Sequence, residues 1–370
     1  MREAAVNALR IKKSYFLQLR APVNNPCCWK AWCEGADSGW HRGHRAIRVA
    51  PERRVGRSIK VAETVSWLAV DWGTSNLRAW SIGSDGAVIG SAVSDKGMGK
   101  LGRADFAPAL EEIVAQLVPP TGPVEVVICG MAGARQGWME APYLDAPTDL
   151  ATLGASAVHP AMPDARIGVS ILPGVCQRQG GDNVMRGEET QLLGLATLLP
   201  GYAGLVCMPG THSKWARLDG TRIESFTTAM TGEMFELLKT HSVLRHSLNG
   251  NLDGPGRAAG FDAGAEDGLA NPADLLGQLF RVRASALLSD RQPDWCAGYL
   301  SGLLIGTEIA ANRNRLGTDP IPLIGSPALC ALYEQVLTMA GAKGRTVDAT
   351  EVVLAGLAAA RLSISRKDQP

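Results

Sequence analysis

The chain has no run of eighteen apolar residues, so no membrane-spanning helix is expected. It shows no charged-then-apolar leader with a cleavage site, so a secretory signal is not expected either. Net charge is nearly absent, +1 over 370 residues, which offers no whole-molecule attraction for nucleic acid or an anionic membrane. Paired cysteines are missing beyond the first few dozen residues. Cys129, Cys176, Cys207, Cys296 and Cys330 stand singly, which excludes a disulfide framework there and fits buried thiols in a reducing, cytoplasmic protein. No G-x-x-x-x-G-K-[ST] string occurs, so a Walker phosphate loop is excluded. What remains is a chain 46% hydrophobic and 20% charged, long enough for two ordinary domains with real cores.

The neutral average conceals two different stretches. Residues 1–65 hold 13 Lys+Arg against 5 Asp+Glu, a net of +8, and the rest holds 24 against 31, a net of −7. The head also carries "CCWKAWCEGADSGWHRGHR" and no sustained apolar period. Cys27, Cys28, Cys33, His41 and His44 are zinc-ligand types whose spacing matches no closed tetrahedral site. A transit peptide or a basic nucleic-acid arm fits the arginines but not the Trp and Cys content. The reading that fits best is a poorly ordered basic extension, with sequence translated from upstream of the true start as one origin for it.

From Trp67 onward the pattern becomes regular. "WLAVDW", "NLRAWSI" and "AVIGSAV" read as an antiparallel β-meander with turn chemistry between them. "ADFAPALEEIVAQLV" follows as a helix, with Leu110, Ile113, Val114 and Leu117 on one face and Asp105 placed to cap. "VEVVICGMAG" is a buried strand running into a glycine loop. After a helix read over "NVMRGEETQLLGLATLL", the scheme starts again: the strand "GLVCMPG", the hairpin "SKWARLDGTRIESFTT", and the helix "TGEMFELLKTHSVL" with Thr228 or Thr231 near its cap. Two further helices, the strand "IPLIG", the helix "SPALCALYEQVLTMAG" and a closing helix complete the chain. The expected architecture is α/β, two halves each with a mixed sheet built on a meander, divided at 66–198 and 199–363.

The repetition has a chemical reading. Gly73-Thr74 and Gly210-Thr211 sit at the tips of corresponding hairpins. Glycine lets backbone amides approach a phosphate closely, and the hydroxyl adds a donor. Two tips, one per half, can grip one polyphosphate. Asp71, at the end of the first strand, can hold Mg²⁺ through water, where the second copy has Met208. In this reading Ser213 and Lys214 stand where Ser75 and Asn76 stand. Asp182, after two glycines and just before the expected helix, is the candidate to orient or deprotonate a hydroxyl, or else a helix N-cap with Glu188 and Glu189 on a solvated face. "GMGKLG", Gly97–Gly102, satisfies the dinucleotide pattern G-x-G-x-x-G, but the strand feeding it is the return of a hairpin, which weighs against an NAD-dependent oxidoreductase.

The strings "VDWGTSNLRAW", "GMAGARQGWMEAPYL", "NVMRGEETQLLG", "MPGTHSKW", "TAMTGEMFELLKTHSVL" and "YLSGLLIGTEIA" closely resemble the 2-dehydro-3-deoxygalactonokinase family of the sugar kinase, Hsp70 and actin superfamily, from about Trp67 to Ser363. The resemblance implies two RNase-H-like (actin-like ATPase) domains around an active-site cleft. It also implies ATP-dependent phosphorylation of 2-dehydro-3-deoxy-D-galactonate at the 6-hydroxyl in galactonate or galactose catabolism. Residue by residue it implies Asp71 for Mg²⁺, Gly73, Thr74, Ser75, Gly210, Thr211 and Ser213 for the ATP phosphates, Gly325 and Ser326 for adenosine, and Asp182 as base. A sugar acid needs a cation for its carboxylate and neutral groups for its hydroxyls. The candidates are Asn76, Arg78, Arg135, Trp138, Tyr143, Arg186, Lys214 and Glu233. Expected partners are ATP and the small sugar acid, with no nucleic acid and no membrane, and a homodimer is the larger assembly considered. The gluconate-derived epimer or another sugar acid is the alternative substrate, and a non-catalytic sugar sensor the alternative class.

Overall fold

The structure is a computed structural model and describes residues 65–119 and 122–364. The basic extension, with its zinc and transit-peptide alternatives, lies outside the described residues, Val65 excepted. Strands β1 (Val65–Trp72), β2 (Leu77–Gly83) and β3 (Val88–Ser94) form the expected meander. β1 and β2 are buried along most of their length, while β3 alternates exposed and half-buried residues as an edge strand does. Helix α1 (Phe106–Leu117) covers one face with Phe106, Ala109, Leu110, Ile113 and Val114, the spacing of one helical stripe. Asp105 precedes it, but its carboxylate turns back to the Gly102 amide at 2.8 Å rather than capping.

Strand β4 (Val124–Gly130) returns parallel to β1. The short strands β5 (Tyr143–Asp145) and β6 (Thr148–Asp149) follow, and β7 (Ile167–Ile171) completes a five-stranded sheet in the order β3-β2-β1-β4-β7. β8 (Gly174–Gln177) and β9 (Asn183–Met185) form a hairpin that pairs with β5 in a separate small sheet. Helix α2 (Glu188–Leu198) therefore starts five residues later than the expected helix, with Gly187 at its N-cap position.

The second half repeats the plan. β10 (Ala203–Met208), β11 (Ser213–Asp219) and β12 (Arg222–Ala229) are the meander, followed by helices α3 (Thr231–His241), α4 (Arg257–Ala270), α5 (Leu275–Leu288) and α6 (Pro293–Ala311). β13 (Ile321–Ile324), α7 (Pro327–Met339), β14 (Gly344–Val347) and α8 (Ala349–Arg361) complete it. The sheet order is β14-β13-β10-β11-β12-β6. Apart from β6 this is the first sheet written again: a meander, then two parallel strands on the far side of its first strand.

Helices α2 and α8 cross backbone to backbone, since a Cβ on Gly194 would lie 1.7 Å from the Val352 carbonyl oxygen. Their apolar faces share one buried cluster with both sheets: Ala69 and Val127 from the first, Val206 and Phe226 from the second, Leu192 and Leu357 from the helices. Each such side chain contributes on the order of 1.5–3 kcal/mol by leaving water. At the end of α8, Arg361 reaches Glu125 on β4 at 2.6 Å. Helices α4 and α6 meet along facing glycines at four-residue spacing, Gly260, Gly264 and Gly268 against Gly298, Gly302 and Gly306, which fixes α6 with little tolerance. Among the described residues no helix is long and apolar enough to cross a membrane.

Candidate functional site

The two Gly-Thr tips are built alike but differ in register. In the first, Asp71 pairs with Arg78, and in the second Met208 pairs with Lys214. Asp71 and Met208 each stand two residues before the glycine, yet their partners stand five and four residues after it. The second tip is thus one residue shorter. Lys214 takes the place of Arg78 rather than of Asn76, correcting the alignment read from sequence. Both tips carry a cation at the same position, and each cation has a carboxylate: Arg78 is ion-paired with Asp71, and Lys214 with Glu188 at 3.3 Å. Lys214 is 4% exposed, and its ammonium also donates to the His212 carbonyl at 3.3 Å.

The first tip is braced by the segment that mimicked a dinucleotide loop. The Met98 and Gly99 amides donate to the Gly73 and Thr74 carbonyls at 3.0 and 2.9 Å, and a Cβ on Gly97 would lie 2.2 Å from the Ser75 carbonyl carbon. These glycines press against a hairpin, which no side chain would permit. Within the tip the Gly73 amide is spent on the Asn76 carbonyl at 2.9 Å, while the amides of Thr74 and Ser75 find no acceptor among the described residues. In the second tip the Glu233 amide supports the Thr211 carbonyl at 3.1 Å, and the Glu233 carboxylate pairs with His212. The Thr211 and His212 amides are the open ones there.

The start of α2 joins the tips. Gly187, at φ +107°, approaches Gly130, at φ +90°, so that a Cβ on Gly187 would lie 3.3 Å from the Gly130 Cα. Gly130 in turn lies against Asp71 and Trp72 at the end of β1. One residue past Gly187, Glu188 holds Lys214 of the second tip. Glu189 points inward and is fully buried. It accepts the Gly187 amide at 2.7 Å and the Thr190 hydroxyl at 3.1 Å. Burial and the neighbouring Glu188 charge push its pKa up to about 7, against these hydrogen bonds. Neither glutamate lies on a solvated face as sequence suggested.

Asp182 is not an N-cap. It is exposed in the β8–β9 turn, beyond the closing pair Gln177–Asn183, six residues before α2. The hairpin is moored to the second sheet: Thr228 donates to the Asn183 side chain at 2.6 Å, and Thr228 lies directly opposite Lys214. Ser213 departs from its assignment as well. Fully buried, its hydroxyl meets the Tyr333 hydroxyl at 2.9 Å and accepts the Gly210 amide at 3.4 Å, so it shapes the tip from beneath. Gly325 lies against this tip, since its Cβ would meet the Pro209 carbonyl oxygen at 2.9 Å, and Ser326 is the N-cap of α7.

The remaining candidates divide. Arg186 is 9% exposed, lies 4.3 Å over the Tyr143 ring and donates to the Ala141 carbonyl at 2.8 Å, while its Nε and Nη1 are buried with no hydrogen-bond partner among the described residues. Trp138 packs with Phe106 and Trp72 in the core instead of facing a site. Arg135 is exposed, and its carbonyl accepts from Arg103. Asn76 is exposed at the first tip. Thr231, read as a cap, gives its hydroxyl to Glu308. Sequence reasoning missed Glu308 and Tyr333. The signal available for Glu308 was a lone carboxylate inside the apolar stretch "YLSGLLIGTEIAA".

The 2-keto-3-deoxy-galactonokinase family profile matches residues 71–360. The 2-dehydro-3-deoxygalactonokinase of Escherichia coli (strain K12) is 36% identical over 80% of this chain and 97% of its own length. A Rhizobium meliloti (strain 1021) protein assigned the same activity is 44% identical over 80% of this chain and 97% of its own. A Sinorhizobium meliloti crystal structure with that assignment superposes with a TM-score of 0.75 at 42% identity, over 81% of this chain and 99% of that one. With a profile spanning nearly all of the described body and relatives matched almost end to end, the chain belongs to the 2-keto-3-deoxy-galactonokinase family.

Proposed function

We propose that the protein transfers the γ-phosphoryl group of ATP to the 6-hydroxyl of 2-dehydro-3-deoxy-D-galactonate, giving 2-dehydro-3-deoxy-6-phosphogalactonate and ADP, a step of galactonate and galactose catabolism. The observation that carries this reading is the pair of Gly-Thr tips at matching positions in two sheets of the same order, joined through Gly130, Gly187 and Glu188. On this reading the halves 66–198 and 199–363 are two RNase-H-like domains around a cleft. The open amides of Thr74, Ser75, Thr211 and His212 line up with phosphate oxygens, and Gly325 and Ser326 lie on the adenosine side. Arg78 and Lys214 supply positive charge to the phosphates from opposite tips.

For Mg²⁺ the fit is a single carboxylate. No group of three or more His, Cys, Asp or Glu suited to a metal occurs among the described residues, so Asp71 would hold the ion through water and phosphate oxygens would complete its shell. Bound there, the ion would neutralise charge on the phosphates. Asp182 takes the 6-hydroxyl proton as that oxygen attacks, on a hairpin moored beside Lys214. For the carboxylate of the sugar acid the candidate is Arg186, two of whose guanidinium nitrogens find no hydrogen-bond partner among the described residues. The cytoplasm is the expected setting, and the five cysteines of the body are all buried free thiols. Assembly as a homodimer belongs to the same proposal and is read by sedimentation.

The test is ADP release from ATP and Mg²⁺ with the galactonate- and gluconate-derived 2-keto-3-deoxy acids side by side. Turnover dependent on the galactonate-derived acid is expected. A tenfold or greater preference for the other epimer would overturn the substrate, and sugar-independent or absent turnover would overturn the reaction.

A further inference from the structure

Glu308 stands near the end of α6, buried and with no part in the chemistry above. An unpaired charge there would cost several kcal/mol, so its surroundings must compensate. They do so with donors from three other elements. Trp215 on β11 gives its indole N–H at 2.7 Å, Tyr333 on α7 its hydroxyl at 2.7 Å, and Thr231, the first residue of α3, its hydroxyl. The chain continues outward: the Tyr333 oxygen accepts the Ser213 hydroxyl at 2.9 Å, and the Ser213 oxygen accepts the Gly210 amide at 3.4 Å. The Ser213 and Tyr333 hydroxyls each donate once and accept once, all in a single sense from the Gly210 amide inward to the carboxylate. Ser326 caps the start of α7, and the first turn of α3 also supports Thr211 through the Glu233 amide. β11, α7, α3 and, through Ser213, the Gly210 amide are thus tied to one carboxylate, which the rigid glycine packing of α4 on α6 holds in place.

We propose that Glu308 is a positioning residue for the nucleotide: through Tyr333 and Ser213 it sets the second Gly-Thr tip at a fixed separation from the start of α7, so that phosphate and adenosine contacts are presented together. This rests on reading Gly210, Thr211, Gly325 and Ser326 as nucleotide-binding. The role differs from plain fold support, because cutting the branch through Tyr333 and Ser213 changes nucleotide affinity without touching the sugar side.

Removing the carboxylate outright risks unfolding, so the test cuts the relay. Tyr333→Phe, Ser213→Ala and the double variant are made in the full chain. The measurements are ADP affinity by calorimetry, KM for ATP and for the sugar acid, kcat, and melting temperature. Each single change is expected to weaken ADP binding and raise KM for ATP about five- to tenfold, the worth of one internal hydrogen bond, with KM for the sugar acid within about twofold. The double variant is expected to be no weaker than about the worse single one, because both cut the same chain. Lowered melting with unchanged ADP affinity, equal rises in both KM values, or losses that multiply in the double variant would each overturn the inference. Wild-type protein that turns over but binds no ADP would instead remove the nucleotide reading of these tips.

Discussion

Glu189 makes the stability of this protein depend on pH in a direction opposite to that of an ordinary surface carboxylate. Its pKa rises from 4.5 to about 7 on folding, with burial the main cause and the Glu188 charge second. Below pH 4.5 it is protonated in both states and costs nothing. Between pH 4.5 and 7 the unfolded chain releases the proton and the folded one keeps it, so stability falls as pH rises. Above about 7 both forms are ionised and the loss is complete. At roughly 1.4 kcal/mol per pH unit the window amounts to about 3 kcal/mol. The assay is urea unfolding of the wild type and Glu189→Gln from pH 4 to 8, read as the difference between the two at each pH, which cancels the other carboxylates. Glutamine keeps the shape and an acceptor for the Gly187 amide. The variant is expected to gain on the wild type by about 3 kcal/mol across that window. A difference that stays flat with pH would refute the argument, because Glu189 would then ionise alike in both states.

Two further outcomes follow from contacts already described. Gly264→Ala puts a Cβ 2.1 Å from the Tyr299 carbonyl oxygen, a backbone atom that cannot step aside, so a loss of about 3 kcal/mol and a fall of roughly 6–10 °C in melting temperature are expected. Gly210→Ala, with no atom within 4 Å of the added carbon, should melt like the wild type, and equal melting of the two variants would contradict the packing argument. Asp182→Asn is expected to lower turnover by on the order of a hundredfold or more while ADP affinity holds, since the residue is exposed and bears no packing load. Near-normal turnover in that variant would remove Asp182 from the proton transfer.

Much of this molecule is written in local pattern. The repeated apolar run, Gly-Thr and Asp-Gly are properties of short segments, so the two meanders and their tips could be placed from residue order alone. Most of the stripe of α1 was equally legible, because burial of Leu110, Ile113 and Val114 follows directly from helical spacing, while Leu117 at the helix end is only half-buried. Family membership rests on the same kind of information, strings that survive without reference to what touches what.

Everything that depended on contact between distant segments was decided by the tertiary structure. A one-residue difference in hairpin register puts Lys214 opposite Met208, and strand pairing rather than composition determines register. Asp182 looked like a helix cap because two glycines precede it and an apolar-patterned stretch read as a helix follows. Pairing of β8 with β9 turned those residues into a hairpin instead. Glu188 and Glu189 are neighbours with the same charge, yet one reaches Lys214 and the other is sealed in the interior, because the close approach of Gly187 to Gly130 fixes which way the first turn of α2 faces. A carboxylate's surroundings come from elements far away in the chain. That is why the sequence by itself determined the two tips and the family, while only the folded molecule determined which charges meet between them and why Glu308 is buried.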